Sequence, residues 1–192
     1  FQVLLDDERV TAFPTDKARA LLVYLAVEGQ AHARATLAQL LWPGYSEESA
    51  NNSLRQTLHR LRQLLHDAEE KRPWLLVTRQ TVQLNPEVAV TVDVSLFTKL
   101  IESCYSHPHA QLARCQPCLE RLRQAVALYH GDFLAGITIA DSDPFEEWRR
   151  ITQEQFHIQM LNALTHLAAA AEAAGDDEGA IQTAHRLLTL EP

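Results

Sequence analysis

The stretch EESANNSLRQTLHRLRQLL, residues 47–65, constrains the fold more than any other part of the chain. Wound at about 100° per residue, it places Ala50, Leu54, Leu58, Leu61 and Leu65 on one narrow stripe. Ser49, Asn52, Gln56, His59 and Gln63 fall on the opposite face, with Arg55 and Arg60 on its flanks. The apolar stripe is what any core-packed helix carries. The outward face is less ordinary, because a merely solvated face tends toward Glu and Lys. Amides, a histidine and arginines are the side chains that form paired hydrogen bonds with base edges.

The alternative is an amphipathic helix with a plain polar surface, and the flanking sequence weighs against it. A shorter helix is expected over residues 34–41, stopped by Trp42-Pro43-Gly44. Ser46 then stands as the N-cap of the long helix. Downstream, residues 74–78 and 81–85 are short runs of apolar and β-branched residues around the polar pair Arg79-Gln80, which predicts a hairpin. Helix, turn, long helix, hairpin is the order of a winged helix-turn-helix, whose second helix enters the major groove. Upstream, residues 1–5 and 9–13 read as strands around the acidic turn Asp6-Asp7-Glu8. Thr15 or Asp16 caps a helix running to about Glu28, closed by Gly29. These elements predict an α+β winged-helix domain over residues 1–90, with the boundary between Asn85 and Asp93.

In such a domain Arg34 and Thr36, at the start of the shorter helix, can meet a phosphate through the helix N-terminus and a side-chain donor. For Arg34 a solvated surface charge is the equal alternative. Arg79 at the hairpin tip is expected on the DNA backbone, with Arg72 and Lys71 as lesser contacts. Asn52, Arg55, Gln56 and His59 would read bases, while Arg60 joins Arg34 and Arg79 on phosphates.

The net charge of -8 runs against nucleic-acid binding until its distribution is considered. Residues 1–95 hold 10 Lys or Arg against 12 Asp or Glu, and residues 96–192 hold 7 against 13. The acid is concentrated in the second half, and a local basic surface can still bind phosphate. No apolar run approaches the roughly 18 residues of a membrane span. The chain opens inside an expected strand without an initiator Met, and it reads as a fragment of a longer protein.

Residues 91–192 are expected to be all-helical. Asp93 caps a helix over 94–104, and further helices cover 118–130, 145–174 (with an internal shift) and 177–190. Leu164, Leu167, Ala168, Ala171, Gly175, Ala180, Ala184, Leu187 and Pro192 match the large and small positions of a tetratricopeptide (TPR) unit. One such unit cannot bury its face alone. Asp141, Asp143, Glu146 and Glu147 form an acidic group that reads as a helix start, with Asp143-Pro144 as cap and first residue, ahead of a cation site.

All three cysteines of the chain lie within 15 residues, as Cys104, Cys115 and Cys118, beside His107 and His109. The spacing C-x2-H-x-H-x5-C-x2-C supplies four tetrahedral ligands with one histidine to spare. In an intracellular protein it favours a metal over a disulfide, and structural zinc is the natural occupant. Pro108 and Pro117 are expected to keep the intervening segment from forming helix. The competing reading buries Cys104 and Cys118 as small apolar groups and leaves the histidines in solvent.

Seven stretches together resemble a known family. They are TDKARALLVYLAVEG from Thr15, LAQLLWPG from Leu37, NNSLRQTLHRLRQLL from Asn51, VTRQTVQLNP from Val77, VDVSLF from Val92, AVALYHGDFLAG from Ala125 and FEEW from Phe145. They resemble bacterial transcriptional activators of the antibiotic regulatory protein (SARP) type, in which an OmpR-type winged helix precedes a bacterial transcriptional activator domain with TPR-like helices. Relative to that pattern the first strand is missing before Phe1, and the later repeats are missing after Pro192. The resemblance implies a cytoplasmic activator that binds promoter double-stranded DNA and recruits RNA polymerase, with self-association or an attached ATPase and further TPR modules as added partners. A different reading is a protein-interaction scaffold with a degenerate winged helix that regulates an attached module. No nucleophile elbow, phosphate loop or dinucleotide fingerprint points to an enzyme.

Overall fold

The computed structural model describes residues 1–5, 7–67 and 72–190. Lys71, Asp6 and Pro192, each given a part in the sequence reading, lie outside the described residues. Contacts divide the chain into two units, one of Phe1–Val90 with Leu134–Arg150 and one of Thr91–Phe133 with Ile151–Pro192. The expected second domain thus contributes residues 134–150 to the contact cluster of the first. The first unit is a small α+β assembly and the second is helical.

The first unit opens with β1 (Leu4–Leu5) and β2 (Glu8–Arg9), which pair antiparallel with Leu4 opposite Arg9. Both are shorter than expected. Their residues are mostly exposed, and a two-stranded ribbon gains little from pairing alone. Helix α1 (Asp16–Glu28) is capped by Thr15, whose Oγ1 accepts from the Ala18 amide at 3.1 Å. Gly29 ends it with a φ of 63°, a left-handed conformation that glycine adopts without the usual steric cost.

A two-residue strand, β3 (His32–Ala33), precedes α2 (Arg34–Leu41), and α3 spans Glu47–Leu64. The hairpin is β4 (Leu75–Val77) and β5 (Thr81–Leu84), and the sheet runs antiparallel in the order β3-β5-β4. Leu21 and Leu25 of α1, Leu37 and Leu41 of α2, Leu54 and Leu61 of α3, and Leu75 and Val82 of the sheet are fully buried. They form the core on which α3 sits.

Within residues 134–150 Phe145 is completely buried, and Trp148 meets Tyr24 of α1 edge to face with centroids 4.9 Å apart. The Ser142 hydroxyl donates to the Leu40 carbonyl, and Trp148 Nε1 donates to Glu28 Oε1 at 2.8 Å. Two members of the acidic group there, Asp141 and Glu146, are engaged internally. Asp141 pairs with Lys17 at 2.7 Å, while Glu146 accepts from the Ile139 amide and bridges Arg149.

The helical unit contains α4 (Asp93–Tyr105), a 3-10 turn at Leu112–Arg114, α5 (Gln116–Leu128), most of α6 (Asp143–Ala174) and α7 (Asp177–Leu190). α6 is one continuous helix rather than two segments offset by a shift. Pro117 does not hold its segment out of helix as expected. It lies in the first turn of α5, where a missing N–H costs nothing. Phe133 and Phe97 both meet Phe156 edge to face, with centroids 5.2 and 6.1 Å apart. Arg186 Nη2 of α7 donates to the Val126 and Tyr129 carbonyls, a cation at the end of α5 where the helix dipole favours one. Every described residue of α7 remains at least partly exposed, Ile181 and Leu188 among them. Among the described residues no helix is long and apolar enough to cross a membrane.

Candidate functional site

The orientation of α3 follows from its stripe. Ala50, Leu54, Leu58, Leu61 and Leu65 are all buried, so Asn52, Arg55, Gln56, His59 and Arg60 are exposed. Ser46 caps the helix by accepting from the Ser49 amide at 3.3 Å. The other end is tied to the hairpin by Asp67, whose side chain is wholly buried. Its carboxylate accepts from Arg62 Nε at 2.7 Å and from the amides of Trp74 and Leu75 at the start of β4. Arg62 is thereby paired, which leaves Arg55 and Arg60 as the cations of the outward face.

The turn between β4 and β5 is stiffened by Thr78. Its Oγ1 accepts from the Gln80 and Thr81 amides at 3.1 and 2.8 Å, and its own amide donates to the Thr81 carbonyl. Arg79 and Gln80 project from this turn into solvent. The Arg34 amide donates to the Gln80 carbonyl at 2.8 Å, and Ala33 pairs with Thr81. The start of α2 and the hairpin tip are therefore held side by side.

The result is an open cleft of about 620 Å³ between the start of α2, the first half of α3 and the hairpin turn. Arg34, Asn52, Arg55 and Arg79 line it together. So do Glu48, Asn51 and Gln80, which the sequence reading did not name as contacts. At about 100° per residue Asn51 falls at the edge of the buried stripe, and Glu48 stands in the first turn of α3. Thr36, Gln56, His59 and Arg60 are exposed but do not line the cleft, and Arg72 is likewise exposed outside it. No side chain caps α2, so its first turn offers amides to an anion beside the three guanidinium groups.

A second group of chemistry-bearing residues lies where α4 and α5 meet. Cys104, near the end of α4, and Cys118, in the first turn of α5, are both buried. His107 Nδ1 lies 3.5 Å from Cys115 Sγ and 3.4 Å from Cys118 Sγ. His109 Nδ1 lies 3.9 Å from Cys118 Sγ and 2.6 Å from the His107 carbonyl oxygen. One ligand atom from each of His107, His109, Cys115 and Cys118 falls within 4.8 Å of the others.

Cys104 stands apart, with Sγ directed at the Leu100 and Cys118 carbonyls at 3.3 and 3.5 Å. Four of the five residues singled out in the sequence thus gather, and the one set apart is Cys104 rather than a histidine as expected, because its thiol is buried against two carbonyls. Burial and the neighbouring thiols push the Cys118 thiol up to about 11, and burial likewise raises Cys104.

The family model described as Bacterial transcriptional activator domain matches residues 92–192. A comparison with curated proteins found no match.

Proposed function

Since that match covers more than half of its length, the chain belongs to the bacterial transcriptional activator domain family, and we propose that it is a sequence-specific DNA-binding transcriptional activator. In this reading the first unit is a winged helix-turn-helix. α3 is the recognition helix, α2 the positioning helix, and the β4–β5 turn the wing. Asn52, Arg55, Gln56 and His59 read bases in the major groove. Arg34, Arg60 and Arg79 hold phosphates, with Thr36 and the first amides of α2 beside them.

The helical unit, read as TPR-like, serves protein contacts, with RNA polymerase or a second copy of the chain as partner. The protein acts in the cytoplasm and needs no catalytic residue. The observation that carries the reading is the convergence of Arg34, Arg55 and Arg79 on one open cleft beside the amide-bearing face of α3.

The test is selection of bound duplexes from a random DNA pool at near-physiological salt. A motif should be enriched, with paired half-sites about one helical turn apart if two copies bind together. Glu48 favours the competing reading, an interaction scaffold, because it lines the cleft where a phosphate is to sit. Folded protein that enriches no motif would support the scaffold and redirect the search to protein partners of the helical unit.

A further inference from the structure

The ligand atoms of His107, His109, Cys115 and Cys118 gather around one point, although only Cys118 of the four is buried. Each neutral imidazole nitrogen has one role, either a lone pair or a proton. His107 Nδ1 nonetheless faces Cys115 Sγ and Cys118 Sγ at almost equal distances, 3.5 and 3.4 Å. One hydrogen bond cannot serve both thiols well, whereas a cation at the centre serves all the lone pairs at once.

The spacing also has the right size. Tetrahedral zinc bonds of about 2.3 Å to sulfur and about 2.0–2.1 Å to nitrogen put those two atoms roughly 3.5 Å apart. Three of the four sulfur–nitrogen separations here are 3.4, 3.5 and 3.9 Å, and the fourth, between His109 and Cys115, lies within 4.8 Å.

We infer that His107, His109, Cys115 and Cys118 form a closed tetrahedral zinc site in the helical unit, and that Cys104 is not a ligand. Mixed thiolate and imidazole donors favour zinc over magnesium or calcium, which take oxygen. Four protein ligands leave no open position, so the ion is structural rather than catalytic. Its work is local. The segment between α4 and α5 contains Pro108 and a single short 3-10 turn, and the ion ties both ends of it to the first turn of α5.

Cys104 is excluded by its surroundings, since its thiol already meets the Leu100 and Cys118 carbonyls within the buried contact of α4 with α5. His109 is the weakest of the four. Ligation through its Nδ1 gives up the 2.6 Å contact with the His107 carbonyl.

The test uses the untagged protein, purified under a reductant that does not chelate metals. Elemental analysis should find about one zinc per chain, and cobalt(II) substitution should give the absorption of a tetrahedral site with thiolate charge transfer. Cys115→Ser and His107→Ala should each weaken zinc binding at least as much as the roughly 100-fold that loss of a supporting partner can cost. His109→Ala should weaken it less, and Cys104→Ala should leave it unchanged. Because Cys118 is buried and its substitution disturbs packing as well as ligation, the deciding variants are those of Cys115 and His107, which are only partly buried. Reduced wild-type protein that takes up no zinc from a metal-buffered solution overturns it, as do Cys115→Ser and His107→Ala variants that bind zinc as tightly as wild type. Rapid closure of a Cys115–Cys118 disulfide on transfer to oxidised glutathione, which is itself reduced, in protein that takes up no zinc would overturn it and reassign the group to thiol redox chemistry.

Discussion

Arg79 stands at the tip of the hairpin turn, outside the core, and a phosphate contact from it is blind to sequence. Arg79→Ala should therefore weaken binding to every duplex alike and lower the magnitude of the log–log salt slope by about 1, measured by fluorescence anisotropy across a salt series. Asp67 acts on the fold instead. Its buried carboxylate serves Arg62 and two amides of β4, and removing it leaves those donors without an acceptor. Asp67→Ala should cost about 2–4 kcal/mol in denaturant unfolding.

Nothing in the sequence singled out Asp67. It sat in the polar stretch HDAEEKRP, and its backbone partners are defined only by how the chain turns back toward β4. Asp141 was legible as part of an acidic group but not as the partner of Lys17. The Lys17 ammonium holds its carboxyl below the ordinary value. The stability it adds is present above the unfolded pKa of about 3.9 and is lost as pH falls through the lower folded value. The pair is largely exposed on the aspartate side, so Asp141→Asn should change stability little at neutral pH.

Elements differed in how much of them the sequence revealed. α3 was legible to within a residue because its period, its Ser46 cap and the preceding Pro43-Gly44 all agree. Ser46→Ala should lower stability by about 1 kcal/mol through loss of the bond to the Ser49 amide, while leaving the DNA motif unchanged. β3 was not legible, since two residues become a strand only through pairing with β5. Pro117 misled because proline stops a helix from inside yet starts one from its first turn. At the junction of α4 and α5 the sequence pointed to five residues, and only packing separates Cys104 from the four whose ligand atoms lie together. Chelation of zinc should lower the unfolding temperature of the wild-type protein and leave a Cys115→Ser variant unaffected, as linkage between metal and fold requires.

Across the whole chain, charge is the property that most easily misleads. The total of -8 describes neither the cleft nor the outward face of α3. With Arg34, Arg60 and Arg79 on phosphates as proposed, the salt slope should be only about -3 per chain, and most of the affinity should then come from base contacts rather than counterion release. The return of residues 134–150 to the first unit was beyond reach of the sequence. It depends on Ser142 and Trp148 meeting residues more than 100 positions earlier.

The central claim is that the exposed face of α3 reads bases, and Gln56 tests it with least disturbance because its side chain is in solvent. Wild type and Gln56→Ala should be carried side by side through selection from the same random duplex pool. The expected result is one shared motif that loses its preference at a single base pair in the variant, a change worth about 1–3 kcal/mol there. Identical motifs from the two proteins, at every position, would contradict that assignment of α3.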